Sequence, residues 1–194
     1  MFYQISERIA DKFEELNVIS AEDKELYRYG VQQGFFLLLN LFTMTMIGLF
    51  CGMIKECAIY MLTYMPLRAY VGGYHARTHI RCYVYSIVIL IIILLALKLA
   101  PLGIQLYGII SLLGVVSILL LAPVEDENKP LDTKEQLVYR KRAIGMVFII
   151  SLAFVLAVAF KIETIYSSIA MSLFSSGILA ILGKVKNDCL VSKS

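Results

Sequence analysis

From Cys57 to Val124 the sequence contains no Asp or Glu. A divalent metal bound in that stretch would have no carboxylate ligand. Charge of either sign is scarce, at 17% of 194 residues, and there are only two histidines, His75 and His79. The four cysteines, Cys51, Cys57, Cys82 and Cys189, show no CxxC spacing and no regular framework, which excludes a disulfide scaffold. The first 30 residues are charged throughout and lack both an apolar core and a small-residue cleavage site, so no secretory signal peptide is expected. No internal repeat of the kind found in many transporters is present.

What remains is apolar. Hydrophobic residues make up 59% of the chain, and the mean hydropathy is +0.77. Uncharged runs recur at Phe35 to Ile54, Tyr83 to Leu97, Leu99 to Leu121, Ala143 to Phe160 and Thr164 to Gly183. A helix needs roughly 17 to 25 such residues to cross a ~30 Å hydrocarbon core. A turn near Pro101 and Gly103 is expected between the second and third of these runs. Cys57 to Leu67 is uncharged but too short alone; it spans only by continuing past Arg68 toward Tyr70 and Gly72, with the arginine reaching to the interface. The expected fold is all-α, a polytopic integral membrane protein of about six transmembrane helices with an N-terminal amphipathic segment.

Six spans sort the basic residues. One side receives Arg8, Lys12, Lys24 and Arg28, then Arg68, Arg77 and Arg81, then the Lys129 to Arg142 cluster, then Lys184, Lys186 and Lys193. The other receives only Lys55, Lys98 and Lys161, a bias of 15 to 3. By the positive-inside rule both termini, the histidine segment and the loop after Leu121 are cytoplasmic. The organisation read from the chain is residues 1–30 as cytoplasmic amphipathic helices, 31–183 as the six-span domain, and 184–194 as a cytoplasmic tail. The six-span domain includes a polar segment at 68–86 and a cytoplasmic loop at 122–143. Phe2, Ile5, Ile9, Phe13 and Leu16 set the first amphipathic stripe. Ser20 as N-cap, with Glu22 and Asp23 behind it, sets a second short helix ending near Gly30. Gly48 and Gly52 form a GxxxG pattern that reads as incidental.

Chemistry concentrates in "RAYVGGYHARTHIRCYVYS", Arg68 to Ser86. Three readings compete. A juxtamembrane loop needs polar residues, and Cys82 is then only a small apolar residue at a helix start. Alternatively, His75 and His79 at i, i+4 with Cys82 hold a metal; against this, Ala76 stands where HExxH has its Glu, and Arg77 and Arg81 repel a cation. In the third reading Cys82 is a nucleophile activated by an imidazole and by nearby arginines. On an unbroken helix His75 and Cys82 would share a face but lie roughly 10 Å apart. The chain must therefore bend, with Cys82 near the N-terminus of the next span, where partial positive charge favours a thiolate. His79 is the rival base on local distance.

The arginine, the glycine, the histidine two residues after that glycine and the cysteine seven residues after that histidine carry a resemblance. With the "APVEDENKPL" loop, in a chain of this length, they resemble the accessory gene regulator B (AgrB) family of membrane peptidases, over nearly the whole chain. The resemblance implies His75 and Cys82 as catalytic residues, with Arg68 and Gly73 in support, and leaves His79 outside the pattern. It implies a membrane cysteine endopeptidase that cleaves an AgrD-type propeptide through an acyl thioester. It further implies that the enzyme promotes closure to a thiolactone or lactone, the autoinducing peptide of quorum sensing in Gram-positive bacteria. Arg77, Arg81, Asn128 and Lys129 are the expected substrate-binding residues, although ordinary positive-inside topology explains most such charges. Glu125, Asp126 or Asn128, or a backbone carbonyl, would orient His75. No metal, other cofactor or nucleic acid is expected; the partners expected are the propeptide, membrane lipids and a second copy of the chain. A peptide transporter without proteolytic activity is the alternative, disfavoured by the lack of intramembrane charge and of broken helix pairs. A nonenzymatic membrane adaptor is a further one.

Overall fold

The computed structural model of the chain describes residues 2–16, 18–74, 78–125 and 132–191. Among the described residues seven helices follow one another: α1 (Phe2–Glu15), α2 (Lys24–Phe50), α3 (Ile54–Val71), α4 (His79–Leu99), α5 (Ile104–Leu121), α6 (Thr133–Ala159) and α7 (Glu163–Val191). Among the described residues the only β pairing is an isolated bridge between Gly72 and Val124. The protein is an all-α polytopic membrane protein. Five helices, α2 and α4 to α7, are long and apolar enough to cross a bilayer. The sixth long helix, α3, carries Lys55, Glu56 and Arg68. Its 18 residues reach about 27 Å at 1.5 Å per residue. The helix that contains the uncharged run Cys57 to Leu67 does continue past Arg68, ending at Val71, and it begins earlier, at Ile54.

The long helices run between two poles. At one pole Lys98 Nζ donates to the carbonyl of Cys51 at 3.2 Å, tying the ends of α4 and α2. The same pole holds the start of α5 and of α7, where the rings of Tyr107 and Tyr166 meet edge to face at 5.7 Å. The chain breaks between α4 and α5 where Pro101 and Gly103 predict it. At the opposite pole the ends of α3, α5 and α7 come together with the starts of α4 and α6.

α1 folds back on the start of α2. Lys24 Nζ bridges Asp11 at 2.8 Å and Glu14 at 2.6 Å, while Arg28 donates to Tyr3 Oη at 3.0 Å and lies over its ring. The residues sealed in this hairpin are the small Ser6 and Ala10, both fully buried, whereas Leu16 of the expected stripe is 61% exposed. Two expectations for this region are corrected. There is no separate helix ending near Gly30, because α2 continues through Gly30 and Gly34 to Phe50. A glycine inside a helix costs only about 1 kcal/mol, far less than leaving backbone groups unpaired at membrane depth. The N-cap is Asp23 rather than Ser20; Ser20 Oγ instead donates to Asp23 Oδ2 at 2.7 Å.

α7 is the central helix and the most buried of the five apolar ones. On it Ser167, Ser168, Ser172 and Ser175 donate back to carbonyls of the previous turn, Ser168 to Thr164 O at 2.7 Å. Such local bonds satisfy hydroxyls where no water reaches. Ser175 also bonds the buried Tyr60 hydroxyl at 3.1 Å. Association within a bilayer rests on close packing rather than on exclusion of water. At Gly177 of α7 an added Cβ would lie 2.9 Å from Gly114 Cα of α5. Gly48 is not incidental: a Cβ there would lie 2.8 Å from Cys57 Cβ, so this glycine sets the approach of α2 to α3. Gly52 lies in the turn after α2 at φ +69° rather than on a helix face.

Candidate active site

The segment leaving α3 is held from three directions. Gly72 and Gly73 have φ of +72° and +114°, a region that residues with a Cβ rarely enter. Val124 N–H donates to the carbonyl of Val71 at 2.9 Å, and Tyr74 N–H donates to the carbonyl of Leu179 on α7 at 2.8 Å. Close approach depends on Gly183, where a Cβ would lie 2.5 Å from the carbonyl carbon of Gly73. From inside, the Arg68 guanidinium donates to the carbonyls of both Gly72 and Tyr74. A Cβ at Gly73 would sit 2.5 Å from Arg68 Nη1, so Gly73 makes the room that the guanidinium occupies. Arg68 and Gly73, paired by the resemblance, are thus physical neighbours.

Val124 is followed by Glu125, which is also fixed. Gln136 of α6 donates to its carboxylate, and Asn187 of α7 donates to its main-chain carbonyl at 2.8 Å. This anchors the beginning of the loop that leads to α6. On the far side of that loop Asp132 caps α6, forming a capping box with Glu135.

Cys82 stands in the first turn of α4, as the need for a bend predicts. Thr78 is the N-cap, its side chain accepting from Arg81 N–H at 3.4 Å, and Cys82 N–H donates to the Thr78 carbonyl at 3.1 Å. The half-buried Cys82 side chain lines a cavity of about 480 Å³. Arg68, Tyr64 and Tyr74 form its inner wall; Lys186 of α7 stands at its edge, its Nζ 5.6 Å from the centre of the Tyr74 ring. The other cysteines are placed elsewhere. Cys57 is buried, with its thiol donating to Met44 O at 3.3 Å. Cys51 caps the end of α2 at the opposite pole, and Cys189 is exposed near the end of α7. Cys82 alone of the four lines this cavity.

His75 and Arg77 lie outside the described residues, as do Asp126, Asn128 and Lys129. His79 is the first residue of α4; its side chain is outside the description. Arg81 is exposed in the same first turn. The structure therefore brings Arg68, Gly73 and Cys82 to one pole with Arg81 beside them. Sequence reasoning missed the opposite wall of the cavity, Leu179, Leu182, Val185 and Lys186. Gly183, between two of these, was the available signal, because a glycine late in an apolar span marks a close backbone approach.

Fold and site together define a polytopic membrane protein that presents one cysteine, at a helix start, to a half-open pocket at its more basic pole. Residues 6–182 match the accessory gene regulator B family. The chain belongs to that family. An AgrB-like protein of Clostridium perfringens strain SM101 is 27% identical over 198 aligned residues, covering 98% of this chain and 90% of the relative. AgrB-like protein 1 of C. perfringens strain 13 is 27% identical over 137 residues, covering 71% and 72% respectively. No solved structure matches the chain significantly. Membership associates the protein with the accessory gene regulator quorum-sensing system and with its protease-like processing enzymes.

Proposed function

We propose that the protein is a membrane cysteine endopeptidase that processes an AgrD-type propeptide, with Cys82 as nucleophile and His75 as base. His75 takes the Cys82 proton and the thiolate attacks the scissile carbonyl. The C–N bond breaks as His75 returns the proton to the departing amine, leaving an acyl thioester on Cys82 and a free C-terminal segment. A cysteine or serine within the peptide then attacks the thioester, closing a thiolactone or lactone and restoring the Cys82 thiol. The thioester keeps much of the transfer potential of the acyl group, so closure requires no ATP if water is kept away.

The observation that carries this reading is the placement of Cys82. It is the one cysteine on the cavity, it stands in the first turn of a helix, and it shares the cavity with the Arg68 guanidinium. His75 follows directly on Tyr74, whose backbone is held by Arg68 and Leu179. Arg77, Arg81, Asn128 and Lys129 are assigned to binding the peptide.

The test uses a chain in which Cys51 and Cys189 are replaced by serine and Cys57 by alanine. This variant is expected to keep releasing the C-terminal segment of a propeptide, and alkylation of its remaining thiol should reduce release by at least about a hundredfold. Release that persists after complete alkylation would contradict the assignment.

In this reading both termini and the Cys82 pole face the cytoplasm. Single cysteines introduced at Arg77 and Asn128 should resist an impermeant thiol reagent added to intact cells, while one at Lys55 should react. Labelling of position 77 only from outside would overturn the topology and, with it, access to a cytoplasmic propeptide.

A further inference from the structure

The cavity beside Cys82 is much larger than a nucleophile needs, and its lining is mostly apolar. Arg68, Tyr64, Tyr74, Ser86 and Lys186 contribute its polar groups, and Tyr85, Val88 and Ile89 of α4 with Leu179, Leu182 and Val185 of α7 supply the apolar remainder. Ile89 is seven residues beyond Cys82, so the apolar part runs roughly 10 Å from the thiol toward the middle of the bilayer. The cavity is not sealed at the side. Tyr85, Val88, Leu182 and Val185 all line it and yet remain 46% to 52% exposed. α4 packs mainly on α2 and only lightly on α7, so the two walls stand apart.

Resting on the peptidase reading, we propose that this cavity is the subsite for the residue on the acyl side of the scissile bond. It takes a large apolar side chain, of the size of Leu or Phe, which enters sideways from the bilayer between α4 and α7. The two products of the first step dictate which side of the bond lies where. The acyl part stays bonded to Cys82 Sγ until ring closure and needs a dry place; the leaving segment must depart to water. The apolar lining of the cavity offers the first, and the exposed start of α4 with Arg81 offers the second. Its volume of about 480 Å³ is within the roughly 300–1,000 Å³ of small-molecule pockets, and its mostly apolar lining with a few convergent polar groups has the character of such sites. Val88 of α4 and Leu182 of α7 both line the cavity and remain exposed, and they act as specificity-determining residues.

Two measurements test this. Synthetic propeptides carrying Ala, Leu, Phe or Asp before the mapped scissile bond should be processed with kcat/KM for Leu and Phe at least tenfold above Ala and Asp. Single methylenes in apolar pockets already discriminate about 10- to 200-fold. Val88→Trp, or Leu182→Trp on the other wall, should reverse the order of Phe and Ala by filling the space. A uniform fall for every peptide in both variants would overturn the subsite. The second measurement needs no proteolysis. In the chain with Cys82 as sole cysteine, reconstituted in liposomes, an apolar maleimide should react faster than an anionic one of similar size, and either tryptophan should slow the apolar reagent at least tenfold. Equal rates with the two reagents, unchanged by both tryptophans, would overturn lateral entry. No release from any peptide by the unaltered protein would overturn the peptidase reading and the subsite with it, whereas release that ignores the residue before the bond would overturn the subsite alone.

Discussion

Replacing His75 by alanine is expected to lower release of the propeptide's C-terminal segment by about 10²- to 10⁴-fold, the range that a positioned general acid or base supplies. Both halves of the first step depend on the imidazole: it removes the thiol proton, and it protonates the departing amine. His79→Ala should leave release within about tenfold of the unaltered chain. His79 opens α4 one turn before Cys82, so its nearness in sequence makes it the natural rival. The two variants are compared at equal protein level in the membrane, by the rate of tail release. Equal and severe loss from both would return the metal or alternate-base reading, and chelator sensitivity reversed by zinc would then separate those two.

The second large effect is expected at Arg68, which acts as a positioning residue. Its guanidinium holds the Gly72 and Tyr74 carbonyls at once, an arrangement a lysine ammonium cannot reproduce because it lacks the planar fork. Hydrogen bonds to charged groups contribute about 1.5–3 kcal/mol each. Loss of one such bond, with reorientation of the chain entering His75, corresponds to roughly a ten- to hundredfold fall in kcat. Arg68→Lys should therefore lower kcat in that range with little change in KM, while the protein remains in the membrane at its usual level. Activity within twofold of the original would contradict the positioning role.

The helices were legible because the bilayer imposes their length. Uncharged runs, the Pro101–Gly103 break and the basic bias mark them without reference to neighbours. α3 was harder. Its charges hide it from hydropathy, and its place is set by burial of Tyr60, Tyr64 and Leu67 against other helices. The short helix expected to end near Gly30 is instead the start of α2, because a glycine that favours a helix end in water is carried through where the backbone gains more from staying paired. Gly48 was undervalued since its partner, Cys57, is on another helix. The site divided in the same way. Cys82 stands out beside the two histidines of one short segment, and Arg68 and Gly73 enter through the family resemblance that this segment carries. Lys186 and Leu182 lie about a hundred residues further on, in a helix apolar on most sides, and only packing brings them to Cys82. The serines at 168, 172 and 175 did mark the inward face of that helix, at helical spacing, and would have indicated which side of α7 to search.

The proposed mechanism requires a covalent link between Cys82 and the peptide, and trapping that link is its most direct test. A propeptide whose own cyclising cysteine or serine is replaced by alanine has lost the second acceptor but not the first step. Incubated with the protein in membranes, it should release its C-terminal segment once and leave an adduct on Cys82. That adduct should be visible by intact mass, cleaved by hydroxylamine, and absent in Cys82→Ala and Cys82→Ser, because a serine hydroxyl in the same place is a far weaker nucleophile. Release of the segment by the Cys82→Ala protein, with no adduct on the unaltered chain, would contradict the mechanism.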